Sequence, residues 1–84
     1  MKTFKYYVDP GHGWISVKRA ELLSLGILDK ISGCSYQKGD TVYLEEDCDA
    51  PLLFCKLREL GIEFTYVEKY NNRTPIRGYE HFKA

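Results

Sequence analysis

Long hydrophobic runs are missing from this 84-residue chain. No stretch approaches the ~18 apolar residues needed to span a bilayer, and the start, Met1-Lys-Thr-Phe-Lys-Tyr, lacks an apolar run of signal-peptide length. The expectation is a soluble, cytoplasmic protein, a whole gene product with no membrane partner. Cysteine is scarce: Cys34, Cys48 and Cys55 cannot all pair internally and no Cys-x-x-Cys occurs. That speaks against a disulfide framework or a zinc knuckle and for a reducing compartment. Net charge is absent too, since twelve basic and twelve acidic residues cancel. A generic duplex binder shows a basic excess, because phosphate neutralisation supplies most of its nonspecific affinity. Nor does any Ser/His/Asp or Cys/His arrangement stand at useful spacing. The chain therefore reads as a non-enzyme, with no catalytic residue assigned and no metal or cofactor expected.

What is present describes one folded domain. The chain is 44% hydrophobic and 14% aromatic, too apolar for a disordered segment. A chain this short buries only about 60–65% of the surface it exposes when unfolded, which leaves room for one core. Two segments end alike, Ala20-Glu-Leu-Leu-Ser-Leu-Gly-Ile27 and Cys55-Lys-Leu-Arg-Glu-Leu-Gly-Ile62. A helix that stops on Gly uses a left-handed residue at its end, and the following Ile folds back onto the last turn. Each segment follows a strand-like run, Trp14-Ile-Ser-Val17 and Thr41-Val-Tyr-Leu44. Two strand-then-helix units are expected.

The rest of the chain fits around them. Residues 3–8 are rich in strand formers, and Asp9-Pro-Gly-His-Gly13 turns the chain back into Trp14–Val17 as a hairpin. Ser16 through Leu25 reads as a short helix. Ser35-Tyr36 and Thr41–Glu45 flank a turn in which Gly39 supplies positive φ. Asp47 or Asp49 caps a second helix, with Pro51 in its first turn and Ala50, Leu53, Phe54, Leu57 and Leu60 along one stripe. Ile62–Val67 alternates as a half-buried strand, and residues 70–84 read as a loop and a partly docked tail. The order ββαββαβ predicts an α+β layer, a mainly antiparallel sheet with both helices packed on one face.

Charge is unevenly spread. Residues 1–19 carry four bases and one acid, residues 20–63 four and nine, and residues 64–84 four and two. Glu45, Glu46, Asp47 and Asp49 stand at the entry of the second helix. Two acids there suffice for capping and for the helix dipole, so the cluster is read as capping, as an acidic docking surface, or as a metal site. No calcium-loop spacing accompanies it. His12, between two glycines and beside Trp14, serves turn chemistry and core packing or a contact tip, with catalysis a weaker third reading. Gly11-His-Gly13 lacks the third glycine and the following helix of a phosphate-binding fingerprint. The tail cations Lys69, Arg73, Arg77 and Lys83, with His81, are interleaved with Tyr70, Tyr79 and Phe82. That pattern belongs to a solvated terminus or to a single-strand binder. Cys34, Cys48 and Cys55 with His12 or His81 meet an ion only if the fold gathers them.

The pattern Asp9-Pro-Gly-His-Gly-Trp14, Asp29-Lys-Ile-Ser32, Ser35-Tyr36, Gly39-Asp40 and Tyr43-Leu-Glu-Glu-Asp47-Cys-Asp-Ala50 resembles small proteins carried by bacteriophages and mobile elements. The resemblance covers residues 9–50 and carries over no functional residue. It implies an anti-CRISPR-like or other anti-defence inhibitor. Such a protein would dock an acidic, aromatic surface formed by Glu45, Glu46, Asp47, Asp49, Tyr43, His12 and Trp14 on a host protein, a defence-system nuclease or its nucleic-acid-binding subunit. The alternative expectation is a small nucleic-acid-binding or regulatory protein that uses Lys2, Lys5, Lys18, Arg19 and the basic tail. The Tyr-rich strands equally suit a homodimer interface.

Overall fold

Strand-forming residues at the start of the chain build a hairpin from β1 (Lys2–Val8) and β2 (Gly13–Lys18), closed by a backbone bond from Asp9 N to His12 O of 2.9 Å. The computed structural model describes residues 1–83, so Ala84, the last residue of the predicted tail, lies outside the described residues. Helix α1 (Arg19–Ser24) and a 3-10 turn (Leu28–Lys30) follow, then β3 (Tyr36–Lys38) and β4 (Thr41–Glu45), helix α2 (Ala50–Glu59) and β5 (Phe64–Tyr70). A 3-10 turn at Pro75–Gly78 and a short β6 (Glu80–His81) complete the chain.

The sheet runs β5-β1-β2-β4-β3-β6, antiparallel throughout except that β5 lies parallel to β1, Lys2 beside Phe64 and Val8 beside Tyr70. The α+β class stands, with one more strand than expected and the first strand inside the sheet. Alternation then sorts every side chain. Phe4, Ile15, Val17, Val42 and Leu44 point to one face and form the core with Leu22 of α1 and Ala50, Leu53 and Leu57 of α2. Both helices pack on that face. Each fully buried Leu contributes about 1.5–3 kcal/mol of transfer free energy, so this layer dominates stability.

Both Leu-Gly-Ile stops form as expected. Gly26 and Gly61 take φ of 75° and 71°, and Ile27 N and Ile62 N reach back to Leu22 O and Leu57 O at 3.1 and 2.9 Å. Gly39 (φ 58°) closes the β3–β4 turn. Other expectations shift. The first helix begins at Arg19, because Ser16, Val17 and Lys18 are held in β2 by pairing with β4. Leu60 is half exposed beyond the end of α2. Residues 70–83 carry more structure than a loop and a partly docked tail: Thr74, Ile76 and Phe82 are buried, Thr74 caps the last 3-10 turn through Ile76 N (3.0 Å), and β6 pairs with β3. No helix is long and apolar enough to cross a membrane.

Candidate nucleic-acid interface on the uncovered sheet face

The face of the sheet opposite the helices is built from the alternate residues of the same strands. Register places them in rows. The first holds Lys69, Tyr7, Trp14 and Glu45; the second Val67, Lys5, Ser16, Tyr43, Tyr36 and His81; the third includes Lys18, Thr41 and Lys38. Lys69, Lys5 and Lys18 thus step diagonally across β5, β1 and β2, and Lys38 on β3 continues the line along the third row. All four are exposed, and none is paired with a carboxylate among the described residues. With strands about 4.8 Å apart, the stripe spans about 19 Å across the sheet.

Tyrosines line this stripe. Tyr7, Tyr43 and Tyr79 form a row of rings with centroids 6.1 and 5.2 Å apart, and Lys38 Nζ sits 4.8 Å above the Tyr79 ring. Burial among its neighbours, with the Tyr79 and Tyr7 hydroxyls close by, raises the Tyr43 pKa, so its hydroxyl remains a neutral donor. A shallow groove of about 280 Å³ runs between Lys5, Tyr7, Ser16, Lys18, Thr41 and Tyr43. The only acid of the register rows is Glu45, which is buried at the Trp14 end of the first row.

The first row is closed over only at its Trp14 and Glu45 end. Trp14 is 2% exposed, as the core-packing reading and not the contact-tip reading has it, and the Arg77 guanidinium lies 5.4 Å above its ring. Arg77 is fixed by a two-pronged bond to Asp9, Nε–Oδ2 2.6 Å and Nη2–Oδ1 2.9 Å. That guanidinium, together with the N–H groups of His12 and Gly11, holds the Asp9 carboxyl well below the usual carboxylate range despite its burial. Arg77 therefore braces the fold. Of the other tail cations, Arg73 is exposed, Lys83 lies 3.7 Å from Glu80, and Lys69 joins the diagonal.

The acidic segment is divided by the fold. Glu45 and Asp49 are buried, so they do not belong to an exposed acidic surface. Glu45 Oε2 accepts from Asp47 N (2.7 Å) and Cys48 N (2.8 Å), and Oε1 lies 3.4 Å from His12 Nδ1. Burial opposes its ionisation, but these donors outweigh burial and hold its pKa down. His12, exposed at the hairpin tip, thus has Glu45 rather than Asp9 as its side-chain partner. Asp49 stands at the expected cap position of α2 yet makes no capping bond; its carboxylate serves Ser32 and Ser35 instead. Glu46 is half buried, bonded by the Tyr6 hydroxyl, and only Asp47 is fully exposed. Glu45, Glu46 and Asp47 are the one trio of potential metal ligands whose donor atoms all lie within 4.8 Å among the described residues. Two of their carboxylates already serve internal donors.

Lys38 and Tyr7 had not been singled out from the sequence. The signal was the alternation itself: Thr3, Lys5 and Tyr7 against Phe4, Tyr6 and Val8, and Trp14, Ser16 and Lys18 against Ile15 and Val17. No protein-family model, curated protein or solved structure matches the chain. The face must be interpreted on its own chemistry.

Proposed function

We propose that this is a non-enzymatic, cytoplasmic binding module whose uncovered sheet face receives a single-stranded nucleic acid. The observation that carries the reading is the stripe of Lys69, Lys5, Lys18 and Lys38, free of carboxylate partners among the described residues and lined by Tyr7 and Tyr43. Ammonium groups track phosphates while exposed rings stack unpaired bases, and a sheet offers both at fixed spacing. Zero net charge is no obstacle, because the acids sit on the helix side, in turns or in internal bonds. Four phosphate contacts on a single strand correspond to a slope of about −3 in log affinity against log salt.

Fluorescence anisotropy with labelled deoxythymidine and uridine oligonucleotides tests this. Binding is expected to show that salt slope. Changing all four lysines to Gln should remove binding while circular dichroism and thermal midpoint stay parental. Equal binding by parent and variant would sink the proposal.

A second reading keeps the expected phage-type, anti-CRISPR-like inhibitor, which docks on a basic surface of a host defence protein. It is supported by exposed Asp47 and half-buried Glu46 beside Tyr6, a smaller surface than four acids. Capture of one host protein, abolished by reversing Glu46 and Asp47 to Lys and unaffected by the lysine changes, would favour it.

A further inference from the structure

Asp49 pins the loop before β3 onto the junction between β4 and α2. Its carboxylate accepts from Ser32 N at 3.1 and 3.2 Å, from Ser32 Oγ at 2.9 Å and from Ser35 Oγ, which in turn accepts from Glu45 N at 3.1 Å. Two cysteines ride on the joined segments. Cys34 N donates to Ser32 Oγ (3.1 Å), and Cys48 N to Glu45 Oε2 (2.8 Å). Both cysteines are exposed and line the wall of one open cleft of about 440 Å³. Cys55, on α2, does not line that cleft. Buried Asp49 and Ser35 tie the two segments together, so the cysteines are brought to one cleft by a built junction.

We propose that Cys34 and Cys48 form an oxidisable dithiol, a modification site at which a hydroperoxide is reduced and an intramolecular disulfide forms. The neighbouring Cys34 raises the Cys48 pKa, with desolvation and the Glu45 carboxylate acting the same way; this disfavours a Cys48 thiolate, and the first attack is assigned to Cys34. The Cys34 thiolate attacks one oxygen of hydrogen peroxide. The O–O bond breaks, the departing hydroxide takes up a proton as water, and Cys34 becomes a sulfenic acid. The Cys48 sulfur then attacks Cys34 sulfur. The S–O bond breaks, the Cys48 proton goes to the leaving hydroxide, and a second water departs. Two thiols lose two electrons, and one peroxide gains them.

The test treats the reduced, full-length chain with one equivalent of hydrogen peroxide, alkylates the remaining thiols and measures intact mass and linked peptides. The expected product is a monomer lighter by two hydrogens, with a Cys34–Cys48 cross-link, one alkylated thiol at Cys55, and a higher thermal midpoint than the reduced chain. Cys48→Ser should instead accumulate a sulfenic acid on Cys34 that dimedone traps. The proposal is overturned if Cys55 oxidises as fast as the pair, if intermolecular disulfides predominate, or if stoichiometric zinc on the reduced chain shields both thiols.

Discussion

Tyr43 and Leu44 are chain neighbours on β4 and face opposite ways. Leu44 is sealed between the sheet and the helices, while Tyr43 stands half open between Tyr7 and Tyr79. One face of the sheet is spent on holding the molecule together and the other is available for contact, and the strand period of two separates the roles at single-residue resolution. Ile15, Val17, Val42 and Leu44 fill the middle of the covered face, with Tyr6 and Tyr66 at its edge, while Tyr7, Tyr43 and the four unpaired lysines occupy the other.

The largest effect that sharpens this contrast is expected from Leu44→Ala, which leaves a cavity against Leu53 and Leu57 and costs about 2–5 kcal/mol of stability by urea unfolding. Oligonucleotide affinity measured well below the midpoint should then stay near parental. The mirror change, Tyr43→Ala, should weaken oligonucleotide binding by about 1–3 kcal/mol through lost stacking while lowering stability less than Leu44→Ala. If Tyr43→Ala binds normally, the open face is not the contact surface.

A smaller effect concerns the closed, Trp14 end of the first row on the same face. Asp9 has its pKa depressed by Arg77, so its contribution is fully present above the ordinary pKa of about 3.9 and is lost as pH falls below that value. Because the Arg77 side chain is 47% exposed, solvent screens the pair and limits its contribution. Asp9→Asn should be less stable than the parent at pH 7 and should lose less of its remaining stability on going to acid, read as urea midpoints across the range. Some acid sensitivity should persist, because Glu45 is depressed as well. An unchanged pH profile would mean that Arg77 is held by its stacking on Trp14 rather than by Asp9.

Local signals were legible where the cause is local. The two Leu-Gly-Ile ends, the Gly39 turn and the α2 stripe depend on a few neighbouring residues, and each appeared nearly where it was expected. What was hidden depends on pairing across the chain. Asp49 looked like a cap because caps are made of acids at helix entries; only the return of the 32–35 loop gives its carboxylate three better donors. Trp14, beside two glycines, suited core packing or a contact tip, and Arg77, sixty-three residues later, covers it. The lysine stripe was invisible for the same reason: its members lie on four strands, and their alignment exists only once the registers are set.

The parallel pairing of β1 with β5 carries a consequence for synthesis. Residues 2–8 meet residues 64–70, so β1 cannot gain its outer neighbour during synthesis until the intervening residues and β5 itself have been made. Antiparallel pairing of β1, β2, β4 and β3 can form earlier, from closer segments. During that interval β1 presents an unpaired edge carrying Tyr6 and Tyr7, a template for pairing with another nascent chain. The late strand acts as a seal on the early one, and its arrival closes the longest loop and ends the exposure that aggregation needs.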